Sequence, residues 1–134
     1  MDGSLTTPLH FPVAMPPGTG ETITIAPGVE WLRMPLPFAL DHINLWLLED
    51  GPGWAIVDAG YATAETTARW ERIFAERLRG LPVTRIIATH HHPDHIGLAG
   101  WLAFGHTPDE LATLGIAVIG VCGAGGTWWT SRRR

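Results

Sequence analysis

Hydrophobic and polar residues alternate with period two over Thr22-Ile23-Thr24-Ile25, break at Ala26-Pro27-Gly28, and alternate again over Val29-Glu30-Trp31-Leu32-Arg33. Successive side chains of a strand point to opposite faces, so this pattern around a Pro-Gly turn predicts an antiparallel hairpin. Pro35 and Pro37 stop it. A second strand-like run covers His42 to Glu49, followed by the turn residues Asp50-Gly51-Pro52-Gly53. Its partner, Trp54-Ala55-Ile56-Val57, ends at Asp58-Ala59-Gly60. The period then lengthens to that of a helix. Thr63 is placed to cap a helix over 64–79, with Trp70, Ile73, Phe74 and Leu78 on one face and Gly80 and Pro82 ending it. Val83 to Ala88 is a short apolar strand. Ile96 to Phe104 reads as a helix, apolar nearly all round and hence buried.

Beyond Phe104 the pattern predicts one more unit. Thr107-Pro108-Asp109-Glu110 matches a capping box with proline at the first helical position, opening a short helix to Leu114 that Gly115 stops. Ile116 to Val121 then reads as a buried strand. Two hairpins followed by β/α alternation predict an α+β fold, a mixed sheet with helices on one face. Residues 1–20, with Pro8, Pro12, Pro16, Pro17, Gly18 and Gly20, read as an irregular leader. Residues 21–121 form the domain, and 122–134, containing Gly123-Ala124-Gly125-Gly126, a flexible tail.

Composition narrows the classes of function. A chain of 134 residues is long enough for one domain with a core, and 46 % apolar against 16 % charged residues fits a folded chain rather than a disordered one. The net charge of −4 gives no general attraction to nucleic acid or anionic membranes. Arg132-Arg133-Arg134 is the one dense basic cluster and reads as solvated tail. The single cysteine, Cys122, excludes an internal disulfide and fits a reducing compartment. No basic region followed by an apolar stretch opens the chain, and no apolar run has the length of a membrane span. The expectation is a cytoplasmic protein with no membrane partner.

The candidate chemistry sits between the strand 83–88 and the helix after it. Four of the seven histidines fall within His90-His91-His92-Pro93-Asp94-His95. In extended backbone His90 and His92 project to one side and can chelate one ion. Asp94 and His95, past the turn that Pro93 forces, can face a second position. Imidazoles and carboxylates are ligands that zinc and similar cations prefer. Loops at the C-terminal ends of strands are also where α/β architectures bind ligands. His91 points away from its neighbours on this reading and is not a ligand. A metal site here predicts hydrolysis, through a water acidified by the bound cation.

His90-x-His92-x-Asp94-His95, preceded by Ile86-Ile87-Ala88-Thr89 and followed by Ile96-Gly97-Leu98-Ala99-Gly100, resembles the signature of metallo-β-lactamase-fold hydrolases. Trp54-Ala55-Ile56-Val57-Asp58-Ala59-Gly60 is similar to the family's upstream strand ending in Asp-x-Gly, and Asn44 to Leu48 fits the strand before it. The resemblance spans about residues 22–104. It implies an αββα sandwich and one or two zinc ions, with iron or manganese used by some relatives. By position it implies that His90 and His92 hold a first metal and that Asp94 and His95 hold a second. Asp94 would orient the attacking water and exchange protons with it, and Asp58 would orient a ligand from beneath. The substrate would be a small molecule with an ester, thioester, lactone, amide or phosphodiester bond.

The pattern departs from the family after His95. The only later histidine is His106, in Gly105-His106-Thr107-Pro108, and the only later acidic residues are Asp109 and Glu110. Three readings of His106 stand: a residue flanking a helix, a third ligand drawn close by an internal deletion, or part of an out-of-register continuation after Ala103. Two functions follow. One is a metal-dependent hydrolase. The other is a truncated, non-catalytic remnant that binds metal weakly or assembles with another chain. A sandwich lacking its second half exposes an apolar sheet face, through which a homodimer would form. A redox di-iron module of the same fold is disfavoured, since no flavin-binding segment is present.

Overall fold

The structure is a computed structural model that describes residues 9–104 and the backbone of 118–120. Both expected hairpins form. β1 (Thr22–Ala26) pairs antiparallel with β2 (Val29–Pro35), and β3 (His42–Asp50) with β4 (Gly53–Val57). β2 and β3 are also antiparallel neighbours, so the four strands make one meander. After helix α1 (Ala64–Glu76) the chain returns as β5 (Val83–Ala88), parallel to β4. Helices α2 (Pro93–Ile96) and α3 (Ala99–Phe104) follow, and β6 (Val118–Gly120) adds parallel to β5. The result is one mixed six-stranded sheet in the order β1-β2-β3-β4-β5-β6. Right-handed βαβ crossovers carry helices to a sheet face, which is how a parallel pair is built onto an antiparallel meander.

The core lies on one face. Cross-strand pairing aligns Leu32 with Leu45, Met34 with Ile43, and Leu47 with Ile56, which in turn faces Ile86. These side chains are buried with Trp70, Ile73 and Leu78 of the α1 region and Leu98, Ala99, Leu102 and Ala103 of the α3 region. Each such aliphatic side chain contributes about 1.5–3 kcal/mol on burial, which makes this layer the main source of stability. Trp70 has 0 % exposure, and its indole N–H donates to the Ala59 carbonyl at 2.8 Å. That bond ties α1 to the end of β4, where the site begins.

The opposite face carries Trp31, Trp46, Leu48, Ala55, Val57 and Ile87, with Arg33 and Asn44 beside them. Trp31 and Trp46 stack at 6.1 Å, and Trp31 Nε1 donates to Asn44 Oδ1 at 3.0 Å. The Arg33 guanidinium lies 5.9 Å from the Trp31 ring, and its buried Nε has no acceptor. No described helix packs on this face.

Three expectations are corrected. The first helix ends at Glu76, not near Arg79: Arg77 caps it, and Arg79 and Gly80 take left-handed backbone with φ of 54° and 75°. Its buried face also includes Thr66, which a hydrophobic pattern does not mark. The helix expected over 96–104 is two short helices broken at Gly97-Leu98, because Gly97 packs against the Gly60–Ala62 backbone. Nor is that segment buried all round, since Phe104 is 73 % exposed. The capping box at 107–110, the helix to Leu114, His106, Cys122 and the tail 122–134 lie outside the described residues.

Candidate metal centre

The site is built where β4 and β5 end side by side. Asp58 follows β4 in a left-handed conformation, φ 62°, which aspartate tolerates better than most residues. Its backbone N–H donates to Ile87 O at 2.8 Å, so the carboxylate is held against the end of β5. There it is 4 % exposed and accepts three kinds of donor. Thr89 N–H reaches Asp58 Oδ1 at 2.8 Å. Thr89 Oγ1 lies 3.0 and 2.8 Å from Oδ1 and Oδ2. His95 Nδ1 lies 2.8 Å from Oδ2. A carboxylate buried this far is stable only when its lone pairs are filled, and here they are.

The loop is locked to the same turn through its backbone. Ala59 N–H donates to His95 O at 2.6 Å, and Leu98 N–H to Gly60 O at 3.2 Å. Gly97 makes this approach possible: a Cβ there would stand 2.4 Å from Pro93 O and 3.0 Å from both Ala62 N and Gly60 O. Pro93 occupies the first turn of α2, after His92 in extended backbone as N-cap. Thus Pro93 starts a short helix instead of a free turn, and it sends Asp94 and His95 back toward the strand end.

The four expected ligand residues come together in two pairs. His90 Nε2 and His92 Nδ1 face each other at 3.1 Å. His95 Nε2 and Asp94 Oδ2 are 3.4 Å apart. The two pairs adjoin, since the His90 and His95 rings have centroids 3.8 Å apart. Donors about 2.0–2.1 Å from a tetrahedral zinc sit about 3.3 Å from one another, so both separations fit two corners of one coordination shell. Among the described residues, no group of three or more His, Cys, Asp or Glu converges as a metal-holding set. The types of these side chains, imidazole and carboxylate, suit a cation, while the geometry brings their donor atoms together only in pairs. His91 is exposed and its ring meets the His92 ring edge-on, with centroids 5.0 Å apart. Thr89 was not singled out from the sequence, although it immediately precedes the histidines; a hydroxyl between a strand and a ligand loop was the signal available.

A mixed sheet that carries its helices on one face, with a histidine–aspartate loop at the ends of its parallel strands, defines an α+β domain with its candidate site at the strand ends. The metallo-beta-lactamase superfamily pattern matches residues 39–113, more than half of the chain, and the chain belongs to that superfamily. It is 32 % identical over 85 residues to the probable metallo-hydrolase YqjP of Bacillus subtilis, covering 63 % of this chain and 25 % of that protein. The structure of a beta-lactamase domain protein from Burkholderia ambifaria is 49 % identical with a TM-score of 0.69, covering 80 % of this chain and 32 % of that one. The mono-zinc form of the metallo-beta-lactamase FIM-1 from Pseudomonas aeruginosa shares the fold, with 18 % identity and a TM-score of 0.51 over 74 % of this chain and 41 % of that one. The chain thus spans about a quarter to two fifths of the length of these relatives. Its single sheet and one helical layer correspond to part of their fold.

Proposed function

We propose that the chain carries the metal-binding loop of a metal-dependent hydrolase, with zinc as the cation and a small molecule bearing an ester, thioester, lactone, amide or phosphodiester bond as substrate. The observation that supports this reading most directly is the pairing of His90 with His92 and of Asp94 with His95 at ligand-edge distances. His90 Nε2 and His92 Nδ1 would hold a first cation, and Asp94 Oδ2 and His95 Nε2 a second. The chemistry such a cation would supply there is acidification of a water and polarisation of the scissile carbonyl or phosphoryl group. Asp94, beside His95 at this edge, would orient the attacking water and accept its proton, returning it to the leaving group. Asp58, from beneath, holds His95 with its Nδ1 proton toward the carboxylate and its Nε2 lone pair free. Zinc titration of the purified chain, read beside hydrolysis of an ester and phosphodiester panel, tests the reading. Zinc-dependent turnover that His92→Ala abolishes is expected. Turnover that survives the substitution would belong to something else.

The face of the sheet away from the helical core supports a second reading, assembly with another copy of the chain. Its centre is apolar, with the stacked Trp31 and Trp46, and Arg33 at its margin has an unfilled donor. Tryptophan and arginine are the residues on which protein interfaces most depend. On this reading the chain is a non-catalytic assembly partner. Sedimentation of the chain with and without Trp46→Lys distinguishes it.

A further inference from the structure

Counting protons at the strand end assigns Thr89 a role that neither donor pair requires. A threonine hydroxyl has one hydrogen and two lone pairs, whereas an ionised carboxylate only accepts. Thr89 Oγ1 is 2.8 and 3.0 Å from the two Asp58 oxygens, so its single hydrogen is committed to Asp58. Toward any other neighbour the oxygen can only accept. That neighbour is His90 Nδ1 at 3.0 Å. The other ring nitrogen within reach, His95 Nδ1, lies farther from the hydroxyl, at 3.4 Å, and closer to Asp58 Oδ2, at 2.8 Å, where its own hydrogen goes.

We propose that Thr89 is a positioning residue: its hydroxyl, held as a donor to Asp58, turns a lone pair on His90 Nδ1 and so fixes His90 with its proton on Nδ1 and its Nε2 lone pair facing outward beside His92. One buried carboxylate thereby sets the tautomer of a histidine in each donor pair, His95 directly and His90 through the Thr89 hydroxyl. The hydrogen that each ring would otherwise present toward a cation is turned inward. Its consequence for metal binding rests on the hydrolase reading above; the tautomer itself does not.

The substitution Thr89→Val keeps the shape and the backbone N–H bond to Asp58 Oδ1, and removes only the hydroxyl. Thr89→Ser restores it. Long-range ¹H–¹⁵N correlation spectra of the metal-free chain report which nitrogen of each ring carries the proton. In wild type and Thr89→Ser, His90 is expected to carry its proton on Nδ1. In Thr89→Val it is expected to lose that preference while His95 keeps its own. Zinc affinity should fall about 10–100-fold in Thr89→Val and recover in Thr89→Ser, the range usual for partners that orient metal ligands. A wild-type His90 protonated on Nε2 overturns the proposal, and needs no variant to fold. So does a Thr89→Val chain whose His90 tautomer and zinc affinity match wild type. A chain with the expected tautomers that binds no zinc contradicts the hydrolase reading and leaves the Thr89 relay standing.

Discussion

Asp58 and Glu30 are the two buried carboxylates of the described chain, and they do different work. Asp58 organises the histidine loop through Thr89 and His95. Replacing it by asparagine keeps the left-handed backbone tolerable but gives up the charge that Thr89 and His95 share, so zinc affinity should drop about 10–100-fold with little loss of secondary structure. Calorimetric zinc titration beside circular dichroism checks this. Glu30 sits far from the loop on the helical face of β2. It accepts from Thr24 Oγ1 and from Arg77 Nη2, each at 2.5 Å. Burial pushes its pKa up, but the hydrogen bonds from Thr24 and Arg77 and the Arg77 charge outweigh it, and the carboxyl lies below its usual range. A carboxylate whose pKa is lowered on folding stabilises the fold above its unfolded pKa. That contribution is lost as pH falls through the folded value. Glu30→Gln should therefore cost about 2 kcal/mol near neutral pH, in the range of hydrogen bonds to charged groups. The difference from wild type should shrink below about pH 4, read as urea midpoints across the acid range.

At the scale of elements, strands were more legible than helices. Both hairpins and β5 stand where alternation and turn residues put them, because each strand buries one face and period-two patterning records that directly. The Thr63 cap was legible for the same reason: its side chain accepts from Thr66 N at 3.1 Å, a local bond encoded locally. Helix ends were not. The break at Gly97-Leu98 comes from contact with Gly60 and Ala62, more than thirty positions away, and no local pattern carries such a contact. The four side chains that come together at the strand end could be picked out from type and spacing alone. Their division into two pairs was also expected, but the Thr89 bridge depends on two strands ending side by side and could only be seen in the fold. Gly97→Ala tests the long-range contact. With no room for a Cβ, the substitution should destabilise the chain by about 1–3 kcal/mol, the usual cost of overpacking. It should also weaken zinc binding, because His95 is bonded to the same turn through its backbone. Thermal unfolding and zinc titration of the one variant read both effects.

For the whole molecule the sheet has two unlike faces, one sealed by helices and one with no described helix on it. The second bears the Trp31–Trp46 stack and the unfilled Arg33 donor. If copies of the chain assemble there, Trp46→Lys should convert the assembly to monomers without disturbing the helical-face core, which Trp46 does not join. Sedimentation velocity over a range of concentrations checks this. Among the described residues no helix is long and apolar enough to cross a membrane. Membership of the metallo-beta-lactamase superfamily rests on more than half the chain, while the chain spans only part of the length of its relatives. Zinc stoichiometry of the purified chain, with turnover of the ester and phosphodiester panel followed in the same samples, tests the metal-dependent hydrolase most directly. At least one zinc per chain is expected, bound through His90, His92, Asp94 and His95, with turnover that chelation removes, zinc restores and His92→Ala abolishes. Less than one bound zinc per chain, with no zinc-dependent turnover, would contradict the hydrolase reading.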